Sequence, residues 1–377
     1  MRSANTPTST QQWCNQDVPL LHWHITRFSG PTSTEGQSWI AVTFPHLVFD
    51  GFGIATVVHL VEAELQGKRW DVPFHISSGQ NDNLLERVLK DAQQEKEEHR
   101  ETWIYARPYS GLHVRWIGGI IILMFWFLWQ KVWNGAEQRV FRLPPRALQK
   151  LLEVYESQSG SVRVSRGDIY VSFITKVSHI LTPVYTIPDR YKAIFGAENV
   201  SKSTRVSLYN MASLRRFFDG KLSQYPFNSV IPLPSPVLSV EELRGLPIPS
   251  LAHAFSQSRR SFVLDTAVQA HETMLAATKL FARRAIGMQA GVEALGLSNM
   301  TSYGIVNIDW TGCGVGKTLL RQKKGTTVSG VEITNNVVIV GHLGDGSLLL
   351  DVHLTKQKRA SLERAIRELV EAADKEV

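Results

Sequence analysis

The sequence predicts an α/β protein of two domains, and three observations support this prediction. At 377 residues the chain is longer than most single domains. Apolar residues make up 43% and charged residues 20%, as is typical of a folded globular protein. Strand-like and helix-like patterns both occur along the chain, separated by segments rich in proline, glycine and polar residues.

The individual elements follow from residue type and spacing. Runs of β-branched and aromatic residues predict strands at 39–44, 328–333, 336–342 and 347–354. Apolar residues at helical spacing predict helices at 83–100, 145–155 and 356–371. Prolines and polar residues predict a crossover linker at 184–204 between a first domain, 1–183, and a second, 205–377. The proline-rich stretch 226–249 predicts a loop, in which Ser239 and Glu242 can cap a short helical turn.

The most informative motif follows the first of these strands. His46 is separated from Asp50 by three residues, and Gly51 follows at once. Histidine titrates nearest to neutral pH, so it suits a general base that deprotonates a hydroxyl group. Asp50 could fix the imidazole, and Gly51 relaxes the backbone where the strand ends. An ordinary Asp-Gly turn after a strand is the alternative interpretation.

This motif and its surroundings resemble the BAHD-type acyl-CoA-dependent acyltransferases of the chloramphenicol-acetyltransferase-like superfamily. The resemblance is closest to the fungal branch that contains trichothecene acetyltransferases. It begins with 18–53, which includes the His46 motif, and continues with a helix at 164–176 and a strand ending in arginine at 210–216. It then includes the turn at 225–228, and 302–312 stands where the family carries Asp-Phe-Gly-Trp-Gly. These stretches cover most of the chain.

The resemblance implies two chloramphenicol-acetyltransferase-like domains with mixed sheets and an active-site channel between them. It implies an O-acyltransferase that moves an acyl group, by default acetyl, from acyl-CoA to a hydroxyl group. The expected acceptor is an apolar terpenoid, sterol-like or polyketide alcohol, because an enzyme seated at a membrane, as the apolar run below suggests, meets such substrates where they partition. Acyl-CoA is then a co-substrate, and we expect no permanently bound cofactor, no metal and a monomer. His46 is the expected base, and Asp309 is either a second catalytic acid or a structural anchor. The residues with expected orienting or structural roles are Asp50, which would pair with Arg215, and Gly51, Asn228 and Gly312.

Three departures from the family pattern leave alternatives open. The order of residues in 309–314 differs, and Phe227 replaces the glycine that precedes Asn228. Only 45 residues precede His46, so we expect the first domain to be shortened at its N-terminus. An impaired homologue that only binds a ligand or a membrane is therefore one alternative. A condensation-type or carnitine-type enzyme is another, although the carrier-protein form usually has a second histidine where Pro45 stands.

An uncharged apolar run at 116–129 predicts membrane contact. The run has tryptophan at both ends, is apolar all round and is flanked by basic residues on both sides. It is shorter than the roughly 20 residues of a transmembrane helix, although hydropathy alone would classify it as one. We therefore expect 116–133 to dip into the membrane or lie along it, with both domains facing the cytoplasm. A buried core helix is the alternative.

The net charge, the cysteine count and one glycine-rich stretch indicate which partners and which compartment to expect. The net charge is +7, and the basic residues are spread along the chain without the aromatic-interleaved stretches typical of nucleic-acid binding, so no nucleic-acid partner is expected. A positive surface suits the phosphates of coenzyme A. Cys14 and Cys313 are too few for a disulfide framework, which fits a reducing compartment, and no signal peptide is visible. The stretch 312–318 resembles the phosphate-binding P-loop of nucleotide hydrolases. Thr311 stands where that pattern requires its first glycine, so the pattern is not met.

Overall fold

The protein is described from a computed structural model. The structure describes residues 19–28, 38–46, 48–70, 83–105, 113–116, 125, 128, 130–159, 164–179, 205–218, 220–223, 225–233, 235–279, 284–287, 292–314, 318, 321 and 332–375. The predicted linker 184–204, Cys14 and most of the predicted strand 328–333 lie outside these residues.

The elements alternate between helix and strand along much of the chain. The helices of the described residues are α1 (Gly51–Leu65), α2 (Leu84–Glu98), α3 (Pro145–Ser159), α4 (Arg166–His179), α5 (Val240–Gly245), α6 (Ile248–Arg260), α7 (Leu264–Lys279) and α8 (Lys356–Asp374). The strands are β1 (His22–Arg27), β2 (Ser38–Thr43), β3 (His113–Trp116), β4 (Glu137–Leu143), β5 (Arg205–Ser213), β6 (Val230–Pro232), β7 (Val237–Ser239), β8 (Arg284–Gly287), β9 (Val292–Asn299), β10 (Asn336–His342) and β11 (Leu348–Leu354).

Most predicted elements that fall on described residues are confirmed. The predicted helices correspond to α2, α3 and α8, and three of the predicted strands correspond to β2, β10 and β11. The short helical turn after β7 is confirmed as well. Ser239 accepts the Glu242 backbone N–H, and the Glu242 side chain accepts the Ser239 N–H, so the two form a capping box at the start of α5.

A seven-stranded mixed sheet organises the larger part of the molecule. Its strand order is β4-β11-β10-β9-β5-β6, and β7 pairs with the other end of β5. The neighbours β5, β9 and β10 are parallel, whereas β11, β4, β6 and β7 join antiparallel. β1 pairs with β2, and β3 with β8, in separate two-stranded ribbons.

The two faces of this sheet are covered differently because side chains alternate along a strand. Val337 and Ile339 of β10 point into a core with helices α3, α4, α6 and α8. Val338 and Val340 point to the opposite face, where Met300 and Val306 cover them. A nearly continuous apolar sequence is therefore what β10 needs, since both of its faces are buried.

Two smaller cores lie beside the sheet and position the motif region. In the first, Ile54 and Val58 of α1 pack with Ile308, and the β1–β2 ribbon contributes partly buried residues such as Trp23 and Val42. The second joins α2 and α7 to the end of β5 and the segment that follows it, through residues such as Leu89, Val268, Leu214 and Leu222.

The sheet takes strands from both sides of the predicted linker. β4, α3 and α4 belong to the predicted first domain, yet they share one core with β9, β10, β11 and α8. The division at 184–204 accordingly stays a proposal about chain organisation.

The predicted membrane contact of 116–133 needs correction. Among the described residues, no helix is both long enough and apolar enough to cross a bilayer. Much of the run lies outside those residues. At its end, helix is present at 130–132, after which the Ala136 N–H donates to the Gln130 carbonyl and Lys131 pairs with Glu332 at 2.8 Å. These contacts tie the end of the run to the residues before β10. The transmembrane helix suggested by hydropathy and the membrane-associated location are therefore wrong. The membrane partner has no support among the described residues.

Candidate active site

The His46 motif forms a tight turn between β2 and α1. The Val48 N–H donates to the Pro45 carbonyl at 2.9 Å, and α1 begins at Gly51. Asp50 caps the helix, because its Oδ1 accepts the Gly53 N–H at 2.8 Å. An aspartate at this position satisfies one of the unpaired N–H groups of the first helical turn. The spacing of the motif thus places the histidine on the turn and the aspartate at the helix start.

Asn228 holds the turn that carries His46. Its backbone N–H donates to the Val48 carbonyl at 2.7 Å, and its Nδ2 donates to the His46 carbonyl at 3.4 Å. The His46 residue itself is exposed, and its ring lies 6.0 Å from that of Phe44. The turn is therefore fixed through its backbone, and the histidine that it carries is exposed.

Asp50 and Arg215 form a buried, bidentate ion pair. Arg215 Nη1 donates to Asp50 Oδ2 at 2.8 Å and Nη2 donates to Oδ1 at 3.2 Å. Asp50 is 0% exposed and Arg215 is 8% exposed. Asp50 Oδ2 also accepts the Ser229 N–H at 2.9 Å. With the Gly53 N–H on Oδ1, the acceptor positions of the carboxylate are essentially filled.

Arg215 extends this connection to the segment that carries Asn228. Its Nε and Nη2 donate to the Tyr225 carbonyl at 3.0 and 2.9 Å, and Nη2 donates to the Phe227 carbonyl at 2.7 Å. The guanidinium also lies 4.3 Å above the Phe52 ring. Phe227 replaces a glycine of the family pattern, but the hydrogen bond from Arg215 uses its backbone carbonyl. The replacement therefore leaves this hydrogen bond possible. The Phe227 ring stacks on that of Phe49, 6.0 Å away.

Close packing explains the glycines of the motif. A Cβ on Gly53 would lie 1.8 Å from the Pro226 carbonyl oxygen, so no larger residue fits without a backbone shift. A Cβ on Gly51 would lie 3.1 Å from Met300 Cε. Gly51 lies in the first turn of α1 and not at a relaxed strand end. The structure requires a glycine there because the Met300 side chain packs close to it. Gly312 is similarly close to the Leu65 carbonyl, 2.4 Å from a built Cβ.

Asp309 lies at the other end of α1. Its Oδ1 accepts the Thr311 N–H at 2.9 Å and the Thr311 hydroxyl at 2.7 Å, and these hydrogen bonds lower its pKa. Its Oδ2 accepts from Gln66, which caps the C-terminus of α1, at 3.0 Å. Gln66 lies sixteen positions after Asp50, at the opposite end of the helix, which corresponds to on the order of 24 Å at 1.5 Å per residue. The second of the two predicted roles, that of a structural anchor, would use contacts of this kind.

Several residues near the motif were not predicted from the sequence. Gly53 had a local signal, a second glycine two residues after Gly51. Ser229 and Tyr303 lie far away in sequence, so only the fold reveals them. The Tyr303 ring packs edge-on against Phe52 at 5.8 Å. Burial, reinforced by the Asp50 carboxylate, raises the pKa of the Tyr303 phenol.

Comparison with known proteins identifies the class of enzyme that the chain resembles. No family model matches the chain. It is 24% identical to O-acyltransferase pboC of Aspergillus ustus over 52% of this chain and 37% of the relative. It is also 24% identical to acetyltransferase adrJ of Penicillium rubens, over 68% of this chain and 48% of the relative. The chain therefore spans less than half the length of these two relatives.

A solved structure gives the fold. TRI101 of F. sporotrichioides, in complex with coenzyme A and T-2, matches with a TM-score of 0.56 and 15% identity, covering 92% of this chain and 69% of that one. TRI101 is a trichothecene acetyltransferase. The chain thus has the chloramphenicol-acetyltransferase-like fold of the trichothecene acetyltransferases. Its named relatives are acyl-transferring enzymes. Together these findings confirm the resemblance to the BAHD-type acyltransferases.

Proposed function

We propose that this protein is an acyl-CoA-dependent O-acyltransferase in which His46 is the general base. The observation that carries the proposal is that the hydrogen-bond acceptor positions of the Asp50 carboxylate are already filled. Arg215, Gly53 and Ser229 use the acceptor positions of its carboxylate, so Asp50 belongs to the scaffold. His46, by contrast, stands exposed on a turn that its neighbours hold by the backbone. In this proposal His46 carries the chemistry, and Asp50 holds the turn and the start of α1 in place.

The reaction needs a single proton carrier. His46 takes the proton of the acceptor hydroxyl as its oxygen attacks the thioester carbonyl of acyl-CoA. The tetrahedral intermediate then collapses, the C–S bond breaks, and the imidazolium returns the proton to the coenzyme A thiolate. General-base catalysis of this kind typically accelerates a reaction by a factor of about 10²–10⁴.

The other predicted site residues receive positioning roles in this proposal. Asp50 and Arg215 fix the helix start, Asn228 fixes the turn, and Gly51 leaves room for the side chain of Met300. Asp309 and Gly312 secure the far end of α1. None of them exchanges a proton with the substrate.

The proposed donor follows from the relatives, and the proposed acceptor is the one expected from the sequence. The donor is acyl-CoA, with acetyl-CoA first because adrJ is named an acetyltransferase and TRI101 is solved with coenzyme A. The net charge of +7 suits the phosphates of that donor. The acceptor is proposed to be the hydroxyl of an apolar terpenoid or polyketide.

The test compares His46→Ala with the intact protein. Acetyl-CoA is incubated with farnesol and a panel of terpenoid and polyketide alcohols, and ester formation and free thiol are measured. Thermal unfolding is followed in parallel with and without coenzyme A. We expect His46→Ala to lose at least about a hundredfold in turnover, the lower bound for general-base catalysis. Both proteins should gain stability from coenzyme A, by about 2.7 kcal/mol at 100 times the dissociation constant.

A matched control is His99→Ala, which removes an exposed imidazole at the end of α2. It should turn over as the intact protein does. Equal turnover by His46→Ala and the intact protein would refute His46 as the base. A shift with coenzyme A but no ester from any alcohol would favour the impaired homologue that only binds a ligand.

A further inference from the structure

A row of aromatic rings ends at the ring of His46. The Phe44 ring lies 6.0 Å from the imidazole, and the Phe49 ring lies 6.4 Å from that of Phe44 in a T-shaped arrangement. The Phe227 ring stacks on Phe49 at 6.0 Å, and the Tyr225 ring meets Phe227 edge-on at 5.6 Å. These distances between ring centres lie in the range of favourable aromatic pairs, about 4.5–7 Å. We call Phe44, Phe49, Phe227 and Tyr225 the aromatic row.

The aromatic row is fixed at its far end. Tyr225 is buried, and its hydroxyl donates to Oδ1 of Asn83, the residue that caps the start of α2, at 3.1 Å. Phe49, in the middle of the row, is buried as well. Phe44 and Phe227 are partly buried, and each packs against one of the two smaller cores beside the sheet. The row therefore connects both of these cores to the turn of the motif.

The backbone contacts of the motif leave the His46 ring to be fixed by side chains. The hydrogen bonds of Asn228 hold the main chain of the turn, whereas the torsions χ1 and χ2 determine where the imidazole lies. Exposed side chains change rotamer within nanoseconds unless their neighbours restrict them. The Phe44 ring is such a neighbour, and it packs in turn against Phe49 and, through Phe49, on Phe227.

We propose that Phe227 is a positioning residue for His46: its ring, through Phe49 and Phe44, restricts the imidazole to the position from which it takes the proton of the acceptor hydroxyl. This inference rests on the proposed acyl transfer, because it assigns Phe227 a part in the same reaction. The glycine of the family pattern has no side chain that could stack at this position, so the third ring of the row belongs to this chain and not to that pattern.

The decisive variants change the side chain of Phe227. Phe227→Leu keeps an apolar side chain but removes the ring that stacks on Phe49, and Phe227→Tyr keeps the ring. Both retain the backbone carbonyl that accepts from Arg215. The matched control is Phe217→Leu, because the Phe217 ring packs edge-on against Phe262 at 5.2 Å and is partly buried against the same core as Phe227. If Phe227→Leu does not fold, Phe227→Met makes the same comparison, since methionine also lacks a ring.

The first measurement is acetyl transfer at varied concentrations of acetyl-CoA. We expect Phe227→Leu to lower kcat about twofold to tenfold, the effect of one lost aromatic pair, and to leave the KM for acetyl-CoA unchanged. Phe227→Tyr should restore kcat, and Phe217→Leu should keep that of the intact protein. An unchanged kcat in Phe227→Leu would overturn the inference. Equal losses in Phe227→Leu and Phe217→Leu would overturn it as well, because they would reflect general packing.

Phe44→Leu tests whether Phe227 acts through the row. Alone, this change should lower kcat at least as far as Phe227→Leu does, because Phe44 lies next to the imidazole. In a protein with both changes, kcat should fall no further than in Phe44→Leu, since residues that act through one another do not have additive effects. Fully additive losses would show that Phe227 acts by another route and would refute its role.

The NMR signals of the His46 ring protons provide a readout that needs no acyl transfer. These signals, identified by their absence in His46→Ala, depend on the position of the imidazole relative to the neighbouring aromatic ring. At one fixed pH they should shift in Phe227→Leu and stay in place in Phe227→Tyr and Phe217→Leu. Signals that coincide in Phe227→Leu and the intact protein would contradict the positioning. If no ester forms with any alcohol, the proposed function fails, and the same signals still decide whether Phe227 positions His46.

Discussion

Asp50 tests how much the buried ion pair beneath the His46 motif contributes to stability. We predict that Asp50→Asn destabilises the protein, because an amide of the same shape leaves the buried Arg215 guanidinium without its counter-charge. Removing one member of a buried ion pair typically costs about 3–5 kcal/mol of unfolding free energy. Arg215 keeps its bonds to the Tyr225 and Phe227 carbonyls, so we expect the lower end of that range.

Urea denaturation at pH 7 measures this change. Glu86→Gln is the matched control, because it neutralises an exposed carboxylate that pairs with Lys90 on the surface of α2, and its denaturation midpoint should stay unchanged. An Asp50→Asn midpoint equal to that of the intact protein would show that the pair contributes little to the fold.

At the scale of elements, a buried polar cluster joins α4, α8 and the start of β9. The His179 residue at the end of α4 is 0% exposed, and its Nδ1 donates to the Thr175 carbonyl at 2.8 Å. This leaves Nε2 with a lone pair facing the Lys358 ammonium at 3.4 Å. Lys358 donates as well to Glu293 and to Asn335 Oδ1. The bonding therefore matches a neutral His179 beside a charged lysine.

The titration of this cluster gives a pH prediction. Burial, together with the Lys358 ammonium, lowers the pKa of His179 below the 6.5 of an unperturbed histidine. The unfolded chain then binds a proton first as pH falls, so the contribution of neutral His179 is present above about pH 6.5 and declines below it. Burial opposes ionisation of Glu293, but the Lys358 ammonium lowers the pKa of this carboxyl far below the usual range. Glu293 therefore stays ionised between pH 7 and 5.

We predict that His179→Gln removes part of the acid sensitivity of the fold. Between pH 6.5 and 5 the intact protein should lose at most about 2 kcal/mol through this group, since one pH unit corresponds to about 1.4 kcal/mol. The variant should be less stable than the intact protein at pH 7 and lose less on acidification. Urea midpoints at pH 7 and pH 5 measure the difference, and His99→Ala should keep the slope of the intact protein. An unchanged slope in His179→Gln would contradict the prediction.

At the scale of the whole molecule, the sequence predicts local pattern better than long-range contact. The apolar runs of β10 and β11 and the stripe of α8 are local signals, and all three elements form as predicted. The Asp50–Arg215 pair links positions 165 residues apart and was predictable only through the family resemblance. The contact between His59 and Tyr303 has no local signal, because it uses a backbone carbonyl that every residue possesses. Hydropathy at 116–129 pointed to a membrane, but an apolar run indicates only that a segment avoids water and not what covers it, and no helix among the described residues could cross a bilayer.

The shared core predicts how the two sides of the crossover segment behave when the chain is cut. β4 pairs with β11 along seven residues, and Leu151 of α3 and Ile174 of α4, each 1% exposed, lie in the same core as Leu350 of β11. Without these partners, the strands after the crossover would expose that core to water, at a cost of about 25 cal/mol for each Å² of apolar surface.

We therefore predict that a protease site inserted within 184–204 can be cut without separating the two pieces. Size-exclusion chromatography should show them eluting together, and thermal unfolding should remain one cooperative transition. The uncut protein with the same insertion is the control. Two separately eluting folded pieces would instead establish 1–183 and 205–377 as independent domains. That result would also mean that the β4–β11 pairing contributes little, because each piece would then be stable with its half of the core exposed.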